Sequence, residues 1–345
     1  MSTSFRELLK KVGSGTHTGK DLTRAEAAIA TRLMLQQEAT PAQIGAFMIA
    51  HRIKRPTAEE LVGMLDAYDE IGGKIPPLTT DLLYPVTVFG VPYDARSRTV
   101  PVFPITLLLL ASVGVPVIFH GGDCMPTKYG IPLVEIWETL GVNYRYLSLT
   151  DSQQLLEKTG LGFYYLPQHF PEAHKLVPYR EEIGKRPPFA TIELIWSPYA
   201  GDANIISGFV HPPTEDRFRE VFAQKPKLTT VKGLEGSCDL ARNRTGIIGI
   251  SEQGKDFQRL HLHPENYGFA GRDVLLESPE KLTAQLKTII AGKPGELMPA
   301  ALWNGGIYLW LCGVCPDLET GLTKAEELIT TGVVAEKLKE LQSYL

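Results

Sequence analysis

Apolar residues recur at helical spacing through residues 3–72. The segments "SFRELLKKV", "LTRAEAAIATRLMLQQE", "TPAQIGAFMIAHRIK" and "TAEELVGMLDAYDEI" each predict a helix. Thr23 with Glu26 three residues on is the pattern of a capping box. The last two segments also begin on threonine, the first of them with proline at the next position. "GGKIPPL" (72–78) reads as a Gly/Pro linker. Beyond it the rhythm changes. "VTVFG", "VPVIFHG" and "GFYYLP" are continuous apolar strands, separated by the helical stretches "FPITLLLLASVG" and "PLVEIWETLG". Such alternation predicts a mainly parallel sheet covered on both faces. Residues 168–186 return to charged, helical character, then "ATIELIWSP", "ANIISGFVH", "LTTVKG" and "RTGIIGI" read as further strands. Helices are predicted at "TEDRFREVFAQ", "SPEKLTAQLKTIIAG", "MPAALWNGGIYLWLCGV" and, as one unit, "LETGLTKAEELITTGVVAEKLKEL". The expectation is an α/β protein. A small all-helical domain (1–73, joined by part of 165–186) precedes a larger domain (74–164 and 187–345) with a mainly parallel sheet flanked by helices.

Composition adds limits. The chain has 345 residues, 43% hydrophobic and 21% charged, enough for one large core and a smaller one. The runs "VFPITLLLLASVGVPVIF" and "LWNGGIYLWLCGV" are interrupted by Gly or Pro and predict buried core, not membrane spans. No secretory leader is read, and four cysteines in a chain this size do not form a disulfide framework, so a cytoplasmic location is expected. Cys312 and Cys315 have metal or redox spacing, but no second Cys or His pair accompanies them, and a structural role is expected. The net charge is −4, yet residues 1–60 carry nine Lys/Arg against six Asp/Glu and residues 217–244 carry seven against three. A mostly acidic chain with two basic segments suggests a localised anion site.

One place has a layout suited to phosphate: the strand "VTVFG", a loop, then an apolar helix. The loop contains Pro92, Pro101 and Pro104, which have no N–H to offer an anion. Together with "TPAQIGAFMIAHRIKRPTAEELVGMLDA", "GVPVIFHGG", "KLVPYREEIGKRPPFATIELIWSP", "LHPENYGF" and "AGRDVLLESPEKLTAQLKTIIAGKPG", this chain resembles the anthranilate phosphoribosyltransferase family over nearly its whole length. The resemblance implies a nucleoside phosphorylase/phosphoribosyltransferase-like fold and a homodimer formed through the helical domain. It also implies where ligands would sit. The family's Gly-Thr-Gly-Gly-Asp diphosphate loop corresponds to Gly90-Val91-Pro92-Tyr93-Asp94, and its Asn-x-Ser-Thr helix start to Pro101, Phe103 and Pro104. Only Gly90 and Asp94 are kept. His120 and Gly121 match a Lys-His-Gly strand end, with Phe119 in place of the lysine. Lys128 and Gly130 match a later Lys-x-Gly. Arg180 matches an arginine that contacts the aromatic acid; it is equally open to a structural pairing near Glu181 or Glu182. Glu193 stands in the family's Asn-Leu-Leu-Gly-Pro strand, where it would repel a diphosphate. The family's adjacent Asp-Glu magnesium pair is represented only by the separated Glu235 and Asp239.

Two functions follow as expectations. The first is a non-classical member that makes no phosphoribosyl anthranilate and instead binds single-stranded nucleic acid, or a nucleotide or sugar phosphate; a divergent branch of the family does the former. Candidate contacts are Lys225, Lys227, Lys232, Arg242 and Arg244, with Lys10, Lys11 and Lys20 at the N-terminus. The alternative is a pentosyl transferase with an altered substrate, using Asp94, His120, Lys128 and Arg180. No cofactor is required on the first reading, and Mg2+ enters only with the second.

Overall fold

The computed structural model describes residues 3–345 except residue 16, residues 92–95 and residues 224–226. It begins with helix α1 (Thr3–Gly13), and three threonines start the next three helices. Thr23, Thr40 and Thr57 each accept from the N3 backbone N–H, and Glu26, Gln43 and Glu60 return the bond to the cap. These boxes open α2 (Arg24–Leu35), α3 (Pro41–Lys54) and α4 (Ala58–Ile71). Helices α2 and α4 approach so closely that a Cβ on Gly63 would lie 2.1 Å from the Arg24 carbonyl oxygen. Buried Glu60 accepts from the Leu22 N–H and from Lys54 Nζ (2.7 Å), fixing the start of α4 to the loop before α2.

The sheet has seven strands: β1 (Val86–Gly90), β2 (Val117–Gly121), β3 (Leu161–Tyr165), β4 (Ala203–Gly208), β5 (Lys227–Val231), β6 (Gly246–Glu252) and β7 (Gln258–Leu262). Their order is β3-β2-β1-β4-β5-β6-β7. The first five are parallel, and β6 and β7 are antiparallel additions at one edge. One face is covered by the largely apolar α5 (Phe103–Ser112) and by the helix Met298–Leu311. The core of the other face is continuous with the helical bundle: Val88, Ile118 and Ile205 of the sheet share it with Phe47, Met64 and Tyr68. Residues 170–199 join the two parts. Tyr179 donates to Gln37, Arg52 Nε to the Arg186 carbonyl and Trp196 Nε1 to Asp69.

Four elements differ from the sequence reading, the first a helix over Leu149–Thr159 that it did not predict. "ATIELIWSP" is not a strand: Pro187 and Pro188 lead into a helical turn, Phe189–Ile192, because proline's fixed φ suits a helix start. The C-terminal helix is two, Leu318–Thr330 and Val333–Tyr344, interrupted at Gly332 with φ 84°. Strand β7 carries too many polar residues to stand out, as suits a sheet edge. Both long apolar runs are buried, and among the described residues no helix is long and apolar enough to cross a membrane.

Candidate anion-binding cleft

Strands β1, β2, β4 and β5 are parallel, so their C-terminal ends open on the same side, where α/β sheets place ligands. Gly90 and Gly208 end two of them. A Cβ at Gly90 would lie 1.8 Å from the Leu194 carbonyl oxygen, and one at Gly208 would lie 2.2 Å from that of Gly236. These glycines permit close backbone packing of the cleft floor. Beside Gly90 a cavity of about 30 Å³ is lined by Pro101, Phe103, Leu133 and Lys128, with Asp239.

The start of α5 has no side-chain cap of its own. Asp239 fills it, accepting from the Val102 N–H at 3.0 Å. The guanidinium of Arg96, 1% exposed, lies 3.1 Å from the same oxygen. Burial pushes the Asp239 carboxyl up, opposed by Arg96 and by the N–H groups of Val102 and Phe103. The loop before α5 is filled in the same way. Glu235 Oε2 accepts from the Ser97 N–H and hydroxyl, both at 3.0 Å. Its Oε1 accepts from the N–H groups of Arg98 and Thr99, both at 3.1 Å, and from the Thr99 hydroxyl at 2.9 Å. Burial alone would raise this carboxyl; the hydrogen bonds outweigh it and hold it at about 2.

Around these two carboxylates the surface is cationic. A cavity of about 560 Å³ is lined by Arg98, Lys128, Arg186, Lys232 and Arg244 with His211. It adjoins one of about 580 Å³ lined by Arg52, Arg55 and Arg217, and Arg186 and His211 belong to both. Among the described lining residues Glu235 is the single carboxylate. Lys128 Nζ reaches the Glu235 carbonyl at 3.4 Å, Arg244 the Gly233 carbonyl at 3.2 Å and Arg186 Nε the Thr127 hydroxyl at 3.3 Å.

Of the residues singled out in the sequence, the cleft gathers Gly90, Lys128, Lys232, Arg244, Glu235 and Asp239. Asp94 and Lys225, with Pro92 and Tyr93, lie outside the described residues. Gly121 is buried at the end of β2. His120 points into the bundle-side core, edge-on to Trp196; burial lowers it to about 3, so it is neutral near pH 7. Arg180 is 1% exposed. It forms a buried two-point ion pair with Glu193, which also accepts from the Tyr68 hydroxyl. That pairing corrects both earlier readings: Arg180 meets neither Glu181 nor Glu182 as its buried partner, and Glu193 is neutralised instead of repelling a ligand. Lys227 starts β5, at the opposite end from Lys232. Arg242 is spent on structure, with Nε donating to the Phe269 carbonyl at 2.8 Å and NH1 to that of Arg272. Glu235 and Asp239 do not fit a metal, because N–H and O–H donors fill the Glu235 carboxylate and one Asp239 oxygen takes the Val102 N–H beside the Arg96 guanidinium, an arrangement that repels a cation. Among the described residues no group of three or more His, Cys, Asp or Glu could hold one. The sequence reading missed Arg52, Arg55, Arg98, Arg186 and Arg217. Its one signal for the first two was "HRIKRP" at the end of a helix.

A glycosyl transferase family with two parts accounts for this architecture: its helical bundle domain matches residues 6–72 and its a/b domain residues 96–335. The chain belongs to that family, within its anthranilate phosphoribosyltransferase-like branch. Anthranilate phosphoribosyltransferase of Acetivibrio thermocellus is 29% identical over 98% of this chain and 96% of its own. An uncharacterized protein of Aquifex aeolicus is also 29% identical, over 89% of this chain and 93% of its own. In fold, the anthranilate phosphoribosyltransferase of Saccharomyces cerevisiae in complex with PRPP and Mg superposes with a TM-score of 0.81 at 16% identity, covering 100% and 98% of the two chains.

Proposed function

We propose that this protein does not make phosphoribosyl anthranilate and that its basic cleft holds the phosphate backbone of a single-stranded nucleic acid. The observation that carries the reading is that, Glu235 apart, every charged side chain among the described residues lining the two adjoining cavities is cationic. Cations so placed release the counterions condensed on a polyanion, the main source of sequence-independent affinity. Tyr129, beside Lys128 and 59% exposed, offers a ring for base stacking. Against transfer, Pro101, Phe103 and Pro104 supply no hydroxyl at the start of α5, where a diphosphate would need one. The test is fluorescence anisotropy with a labelled oligo-dT across a salt series. Joint replacement of Arg98 and Arg244 by Ala should weaken binding to every sequence and lower the salt slope by about one per lost contact. Arg242→Ala should leave binding unchanged. PRPP, Mg2+ and anthranilate should give no product. Turnover of anthranilate, or no oligonucleotide binding at low salt, would overturn the reading.

We further infer a homodimer. The bundle bears an apolar groove of about 830 Å³ lined by Val12, Ala46, Ile49, Ala50 and Ile53, and Ile53 is 64% exposed. A second copy is the occupant the family resemblance suggests, and a self-complementary apolar face suits two-fold pairing.

A further inference from the structure

The loop between β1 and α5 presents three successive N–H groups, from Ser97, Arg98 and Thr99, with the hydroxyls of Ser97 and Thr99 beside them. Consecutive N–H groups turned to one point form an anion receptor. Here all five donors end on one carboxylate, which arrives from a turn more than a hundred residues away in sequence. To deliver it, Glu235 takes a left-handed conformation, φ 54°, which a non-glycine residue holds only when its surroundings over-determine it. The adjacent set of donors, at the start of α5, is filled by Asp239 of the same segment. A diphosphate bound in this layout would need both sets, and one short stretch of chain supplies an oxyanion to each.

We propose that Glu235 is a specificity-determining residue: its carboxylate stands in for a phosphoryl group in the receptor formed by residues 97–99. It thereby bars free phosphate and diphosphate from the cleft floor and leaves only the outer cations to a ligand. The role of those cations rests on the nucleic-acid reading above; the occupation of the receptor does not. The geometry favours substitution of one anion for another, since the receptor's donors suit any oxyanion and the flanking Arg98 and Lys128 add positive charge. A long polyanion spanning Arg186, Lys232 and Arg244 has no need of the floor.

The test uses inorganic pyrophosphate as probe, with titration calorimetry on the wild-type protein and on Glu235→Ala. The variant should bind pyrophosphate at least about tenfold more tightly than wild type. Formate should raise the melting temperature of the variant and leave that of wild type unchanged. Equal pyrophosphate affinity in the two proteins would overturn the proposal. If Glu235→Ala is recovered unfolded, Glu235→Gly serves, since glycine accepts the left-handed backbone there and also empties the receptor. Its melting temperature should rise with formate or pyrophosphate, and a Gly variant indifferent to both would equally overturn it. Oligo-dT binding by wild type is read alongside. Its absence, with the pyrophosphate gain intact, removes the nucleic-acid reading and leaves the role of Glu235 standing; oligo-dT binding without that gain does the reverse.

Discussion

Glu235 sets the acid behaviour of the loop it holds. Its carboxyl lies at about 2 in the folded protein against an ordinary 4.5. A depressed carboxyl contributes stability that is fully present above the unfolded value and disappears as pH falls through the folded one. Denaturant melts of wild type and Glu235→Gln should therefore differ by about 2 kcal/mol at pH 7, allowing for solvent screening. The gap should hold down to about pH 4.5 and close towards pH 2. A gap independent of pH in that range would mean the hydrogen bonds do not favour the ionised form. His120 acts in the same direction for a different reason. Its folded value of about 3 lies below the ordinary 6.5, so the unfolded chain takes up a proton first and stability falls as pH drops between the two. Comparing the variant with wild type cancels that contribution.

At the scale of elements, the helix Val177–Ile183 and the turn Phe189–Ile192 are tied by the Arg180–Glu193 pair, 1% and 2% exposed. Removing one buried partner leaves the other charge uncompensated. Arg180→Leu should cost about 3 kcal/mol or more in denaturant melts, and Arg180→Leu with Glu193→Leu should recover part of that. Neither should change oligonucleotide binding; a selective loss of binding with stability intact would return Arg180 to the ligand site. What was legible in the sequence divides along the same line. The caps at Thr23, Thr40 and Thr57 and the apolar strands β1 to β3 depend on neighbours within a few residues, so periodicity and capping patterns expose them. The antiparallel β7 and the break at Gly332 carry weaker local signals. The site was least legible, because its contacts are long-range. Glu235 meets residues 97–99 across 136 to 138 positions, and Arg52 reaches Arg186 across 134. Counting charges found basic segments, but not which cations face one cleft: Arg242 and Arg244 are two residues apart, and only the second lines it.

For the whole molecule, the arrangement of the two cores bears on assembly. The bundle shares its core with one face of the sheet, so its apolar groove at Ile49 and Ile53 faces away from the rest of the chain's interior. Light scattering at micromolar concentration should give a dimer, and Ile53→Glu should give a folded monomer. A monomeric wild type would remove the second copy from the groove. The cleft has a different consequence at this scale. Arg186 and His211 wall both cavities, so a phosphate chain passing from one to the other would run beside the Arg186 guanidinium where they meet. Nothing along such a path marks one nucleotide from the next. A strand held there would have no fixed registration and could slip lengthwise by a unit at little cost, travelling through the protein as a thread does through an eyelet.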